Sequence, residues 1–183
     1  MSVGEKGVSR SIENSASHRD ICAQSYIPAL ADVFSPTKYA GVMSWVKASN
    51  GHAPANSLVA GHDVTGEPIY VIRAEHEGDL IPGKLVSSNK AATISWGCKE
   101  ILKTEYEVLV KSTNQWVPDR GGNVPANALK AGRTREDDPL YIGRVHYLNS
   151  ITPGKVHPKH GLCYISFDGK ELNFTNYEVL LEN

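Results

Sequence analysis

One segment of this chain occurs twice. Placing Trp45 over Trp116, a shift of 71 positions, starts a match that runs without a gap to Leu109 over Leu180. Roughly 24 of about 66 aligned positions are identical, and identity in blocks at one offset is the mark of a duplicated structural unit. Pro54-Ala55-Asn56, Leu58 and Ala60-Gly61 answer to Pro125-Ala126-Asn127, Leu129 and Ala131-Gly132. Pro68, Tyr70 and Arg73 answer to Pro139, Tyr141 and Arg144. Pro82-Gly83-Lys84, Lys99-Glu100 and Tyr106-Glu107-Val108-Leu109 recur as Pro153-Gly154-Lys155, Lys170-Glu171 and Tyr177-Glu178-Val179-Leu180. The chain therefore divides into an N-terminal extension over 1–44, a first repeat over 45–110 and a second over 116–181. A unit of that length buries a small share of its surface alone, so two copies are expected to bury their apolar faces against each other.

The repeats read as strands and turns. Ile69 to Ala74 and Leu140 to Val145 are rich in branched and aromatic residues, each behind a proline, which costs no ladder donor at the first position of a strand. Pro82-Gly83 and Pro153-Gly154 suit the two central positions of a type II turn. No stretch within the repeats carries a helical period. The expected fold is all-β: two antiparallel repeats related by a pseudo-twofold in one compact, sandwich-like body.

In the extension, residues 1–20 are polar and read as a mobile tail, while Ile27, Leu30, Val33 and Phe34 align as one stripe of a short helix stopped at Ser35-Pro36. The N-terminus has no apolar stretch resembling a secretory signal, and the three cysteines do not make a disulfide framework. The expected setting is cytoplasmic, or release without a standard signal. A net charge of −1 supplies no basic field, which argues against nucleic-acid partners, and no apolar run approaches a membrane span.

Taken together, the paired Trp-Val, Pro-Ala-Asn-x-Leu-x-Ala-Gly, Pro-Gly-Lys and Tyr-Glu-Val-Leu blocks resemble the DM-nine repeat family over about residues 45 to 181. The resemblance implies two interlocked β repeats. It also implies kinship with bivalve mannose-specific lectins, which act in innate recognition and often dimerise, and with repeats beside the pore-forming module of natterin-like toxins. In the lectins an acid shortly after the Ala-Gly step and the lysine of Pro-Gly-Lys hold mannose. Asp63 and Lys84 stand at those positions in the first repeat, with His62 beside the acid. In the second repeat Lys155 is present but Thr134 replaces the acid, leaving Glu136 or Asp137 to stand in. A carboxylate accepts from neighbouring sugar hydroxyls and an ammonium donates up to three bonds, so such a pair can orient a vicinal diol.

Other residues have plainer readings. Arg73 with Glu107 and Arg144 with Glu178 suit internal ion pairs at the repeat interface. Trp45 and Trp116 suit core anchors. His157 and His160 lack a cysteine or carboxylate at metal-ligand spacing, so no metal is expected, although a histidine or Tyr147 could line the second pocket. No nucleophile elbow, phosphate loop or dinucleotide fingerprint is present, so neither catalysis nor a cofactor is expected. The expectation is a mannose-type glycan-binding protein, with possible homodimers. The alternative is an intracellular stress or immunity protein whose repeats bind protein or membrane partners without sugar.

Overall fold

The computed structural model describes residues 43–111 and 113–182. The extension, with the helix expected over residues 27–34, lies outside the described residues. The first repeat contains β1 (Ser44–Ser49), β2 (Val59–His62), β3 (Pro68–His76), β4 (Asp79–Val86), β5 (Ala92–Trp96), β6 (Lys99–Lys103) and β7 (Glu105–Val110). The second contains β8 (Trp116–Arg120), β9 (Lys130–Arg133), β10 (Pro139–Tyr147), β11 (Ser150–His157), β12 (Leu162–Phe167), β13 (Lys170–Phe174) and β14 (Asn176–Leu180). One-turn 3-10 helices, Ser87–Asn89 and Pro158–His160, follow β4 and β11.

The strands join in one antiparallel sheet, ordered β1-β7-β3-β4-β5-β6-β13-β12-β11-β10-β14-β8. The second half of that path mirrors the first, which is the pseudo-twofold written as topology. Two contacts between the repeats make the path a barrel-like body, the first joining its halves and the second closing it. β6 meets β13 at Lys99 and Lys170, and β9 pairs with β4 at Leu80 and Arg133. Pro68 and Pro139 open β3 and β10, where a missing N–H is tolerated.

The turn reading of the two Pro-Gly pairs is corrected. Both lie inside strands: Pro82-Gly83 faces Arg73 and Ile72, and Pro153-Gly154 faces Arg144 and Gly143. Neither glycine has a positive φ. The turns sit elsewhere, at Glu77-Gly78 and Leu148-Asn149, with positive φ at both central residues as a two-residue hairpin requires. Glycine is needed in the strands for space. A Cβ on Gly83 would overlap the Thr93 carbonyl oxygen, and one on Gly154 the Tyr164 carbonyl oxygen. The Ala-Gly step has a similar cause across the repeats, since a Cβ on Gly61 would strike the Ile151 carbonyl oxygen and one on Gly132 that of Leu80.

Three apolar clusters form the core. One belongs mainly to the first repeat, around Ile72, Ile81, Leu85 and Ile94, and one to the second, around Val156, Cys163, Ile165 and Val179. The third is shared: Leu58, Ala60, Val71 and Leu109 pack with Leu129, Ala131, Ile142 and Leu180. Removing one repeat would strip water-excluding partners from the other, so the two form one body. Trp45 and Trp116 are half-buried against this shared cluster. Each lies under an arginine, Arg73 at 4.2 Å and Arg144 at 4.3 Å from the ring centre. Those arginines bind Glu107 at 2.6 Å and Glu178 at 2.7 Å. They also reach across the interface, Arg144 Nη1 donating to the Ala60 carbonyl at 2.9 Å and Arg73 Nη1 to that of Ala131 at 3.5 Å. These pairs thus fix the register of one repeat on the other.

Candidate functional site

The two repeated lysines project from β4 and β11 into the opposite repeat. Lys84 Nζ donates to the Ser166 carbonyl at 2.7 Å and lies 3.4 Å from Glu100 Oε1. Lys155 Nζ donates to the Ser95 carbonyl at 2.5 Å and lies 3.1 Å from Glu171 Oε1. Each glutamate is itself locked by a backbone N–H of the other repeat: Glu100 accepts from Gly169 and Glu171 from Cys98, both at 2.8 Å. The side chains of Lys155 and Glu171 are each only 10% exposed. An ammonium has three donors, and two are occupied in each cradle, so one remains for a ligand. The sequence identified these lysines but not what holds them, because the carbonyls belong to the other repeat.

Asp63 has a structural duty first. Its Oδ1 accepts from the Thr65 N–H at 2.8 Å, the Thr65 hydroxyl at 2.7 Å and the Glu67 N–H at 2.9 Å, closing the turn after β2. The Thr65 hydroxyl, with those amides, holds its carboxyl below the ordinary range despite some desolvation. Asp63 forms no ion pair with Lys84 among the described residues. Thr134 keeps the turn with its hydroxyl, accepting from the Asp138 N–H at 3.2 Å. That explains the exchange between the repeats: either residue caps the turn, but only one brings charge. His62 faces elsewhere, into an open depression shared with His146, Tyr147 and Ile151. Tyr147 packs edge-on against Phe167 and Phe174.

A pocket of about 250 Å³ forms over the second lysine. It brings together Thr134, Glu136 and Lys155 with the histidines anticipated for it and with Asp79, Trp96, Tyr164 and Glu171. Asp79 and Trp96 come from the first repeat. Asp79 Oδ1 accepts from the Arg135 N–H at 2.8 Å and its Oδ2 from Trp96 Nε1 at 3.2 Å. Carboxylates therefore line a pocket whose own repeat carries threonine at the acidic position. Glu136 is held by Arg135 at 3.1 Å on the exposed rim. No local signal marks Asp79, since its equivalent in the other repeat is Ser150.

His157 and His160 form one wall. Their rings stack 3.6 Å apart and 4° from parallel, so their in-plane lone pairs run side by side and do not converge on one point. His160 Nδ1 is 3.1 Å from the Tyr164 hydroxyl. His157 is buried, and its Nδ1 has no hydrogen-bond partner among the described residues. Burial, then the neighbouring His160 and Lys155, hold its imidazole below the ordinary histidine range. A larger depression of about 1070 Å³ between β1, β3, β6 and β7 contains none of the predicted ligand residues. Of its three cations, Arg73 is engaged by Glu107 and Lys103 by the Glu75 carbonyl and His76.

Two interlocked β repeats, each clamping the other's lysine, define a tandem-repeat protein with cross-repeat cradles. The chain belongs to the DM9 repeat family, whose sequence model matches residues 63–174. Natterin-4 from Thalassophryne nattereri is 29% identical over 145 residues, covering 77% of this chain and 34% of that protein. Natterin-3 from the same organism is 29% identical over 93 residues, 49% of this chain and 23% of its own length. The chain thus spans about a third or less of these relatives. Among solved structures, the nematode sperm cell motility protein MFP2B matches with a TM-score of 0.60 at 14% identity, over 85% of this chain and 51% of that one. That likeness is one of fold. No helix among the described residues is long and apolar enough to cross a membrane.

Proposed function

We propose that this protein is a lectin-like recognition protein that binds mannose-type glycans and acts by binding without turnover. The observation that carries the reading is the Lys155 cradle: a buried ammonium with one donor left, in a pocket lined by carboxylates and by Trp96 and Tyr164. A sugar needs such a mixture, because hydroxyls take charge-assisted bonds while the apolar ring face rests on an aromatic plane. The first-repeat site would use Lys84 with the second oxygen of Asp63. Fixed lysines lose little freedom on binding, although a monosaccharide contact stays weak, and two sites per chain or a dimer would add avidity.

The test is isothermal titration with mannose, with galactose as control and chelator present throughout. Saturable heat with mannose alone supports the reading, and a stoichiometry of two would place sugar in both repeats. Absence of heat at millimolar mannose would overturn it in favour of protein or membrane partners. A single site would show that only one cradle is open.

A further inference from the structure

The cradles match, but their walls do not. Where the second pocket has His157, His160 and Tyr164, the equivalent positions of the first repeat hold Val86, Asn89 and Thr93. The stacked imidazoles thus belong to one pocket alone, and His157 Nδ1, shut off from solvent, has no hydrogen-bond partner among the described residues to share a second charge.

We infer that the second pocket is a proton-gated site: it takes a neutral polyol while His157, stacked on His160, is uncharged and releases it when His157 is protonated. The inference rests on the sugar-binding reading and adds its regulation. In the neutral state the stacked rings wall the pocket without adding charge beside Lys155. A bound sugar would exclude water from the ring and further oppose its charging. A proton on His157 puts a cation beside Lys155 and face to face with His160, and the repulsion opens the wall.

The surrounding groups do not relieve that repulsion. On its own strand His157 faces Lys155, and on the following 3-10 turn Lys159 and His160. From β13 comes Glu171, occupied by Lys155 and the Cys98 N–H. From the turn before β10 comes Asp138, bound to Lys159 at 2.5 Å. Asp79 is held by Trp96 and the Arg135 N–H, and Glu136 by the Arg135 side chain. Tyr164 of β12 is neutral across this range, burial pushing its hydroxyl up. Burial, His160 and Lys155 outweigh Asp138 and a backbone hydrogen bond, which pull His157 towards the charged form. Ligand and proton thus compete, and each weakens the other by the same factor.

The experiment is a mannose titration followed by amide NMR at pH 7.5 and pH 5.5. The Thr65 and Glu67 amides report on the first site, and the Cys98 and Arg135 amides on the second, because they donate to Asp63, Glu171 and Asp79. Second-site affinity should fall at pH 5.5, by less than the roughly tenfold that one proton on an unshifted imidazole would give, because His157 is held below that range. First-site affinity should be unchanged, since Asp63 stays ionised at both values. The double variant His157→Val/His160→Asn, which imposes the first repeat's residues, should bind at the second site equally at both pH values. A thermal melt at each pH confirms that it is folded; if it is not, His160→Asn alone should shrink the pH effect. Binding at pH 7.5 that persists unchanged at pH 5.5 would overturn this inference and leave the lectin reading standing. So would a pH effect of equal size in the wild type and a folded variant. No shift at either reporter pair with millimolar mannose would overturn both.

Discussion

The two cradles share a frame and differ in what surrounds it. Lys84 and Lys155 make the same two bonds, to a carbonyl of the opposite repeat and a glutamate of their own. In the first repeat Asp63 caps its own turn, whereas the second cradle draws Asp79 and Trp96 from the other repeat and adds two histidines and a tyrosine. Duplication preserved what the fold cannot lose and left the rest to diverge. In each copy the lysine and its glutamate both bond to the backbone of the opposite repeat and so hold the repeats together, and both copies keep the pair. The acid after the Ala-Gly step caps a turn, which threonine does nearly as well, so one copy could lose its charge.

The comparison breaks most severely at the glycines beneath the lysines. Gly154→Ala would drive a methyl group into the Tyr164 carbonyl, and Gly83→Ala one into that of Thr93. Each should cost about 3 kcal/mol or more, near the upper range for overpacking, and thermal or urea unfolding measures it. Equal losses would show that both crossings are equally tight.

Lys155→Met should come next. It leaves Glu171 buried with its charge uncompensated, which for such pairs costs about 3 kcal/mol. Lys84→Met should cost less, because its pair is longer and slightly more exposed. Denaturant melts of the two variants test the order, and the reverse order would show the first clamp to be the stronger. Adding Glu171→Gln to Lys155→Met should recover part of the loss.

Asp63→Ala removes three hydrogen bonds from one oxygen and should destabilise by about 1 kcal/mol while abolishing first-site binding. Asp63→Thr, which copies the second repeat, should keep most of the stability and still lose the binding. If Asp63→Thr binds mannose fully, the acid serves the turn alone. Thr134→Asp should keep its turn and strengthen second-site binding.

The smallest effects are in titration. Burial pushes the Tyr177 hydroxyl up to about 12, while it donates to the Asn123 carbonyl at 2.8 Å. A folded value raised above the unfolded one gives stability that is full below pH 10 and fades as pH rises towards 12. Tyr177→Phe should flatten that alkaline limb. Tyr106, its counterpart, is raised for the same reason, and Tyr106→Phe should act in the same direction. On the acid side Arg144 and His146 hold the Glu178 carboxyl below its ordinary value, outweighing its desolvation. Its contribution is present above the unfolded value near 4.5 and is lost as pH falls through the lower folded one. Glu178→Gln should therefore reduce the acid sensitivity of the melting temperature.

Much of this molecule is determined by the sequence alone. The offset of 71 shows two copies, the prolines of β3 and β10 mark strand starts, and the repeated lysines and Arg–Glu pairs stand out because they recur. These features are legible because each is local or repeated. What only the tertiary structure decided lies between the repeats. Pro-Gly reads as a turn by propensity, yet a carbonyl from another strand requires the glycine inside β4 and β11. Asp79, Trp96 and the stacked histidines meet Lys155 because the sheet closes on itself and brings the first repeat's β3–β4 turn and β5 over the second repeat's β11. Spacing along a chain records its neighbours within a strand or turn, and a pocket built across a pseudo-twofold is made of neighbours that the chain itself keeps far apart.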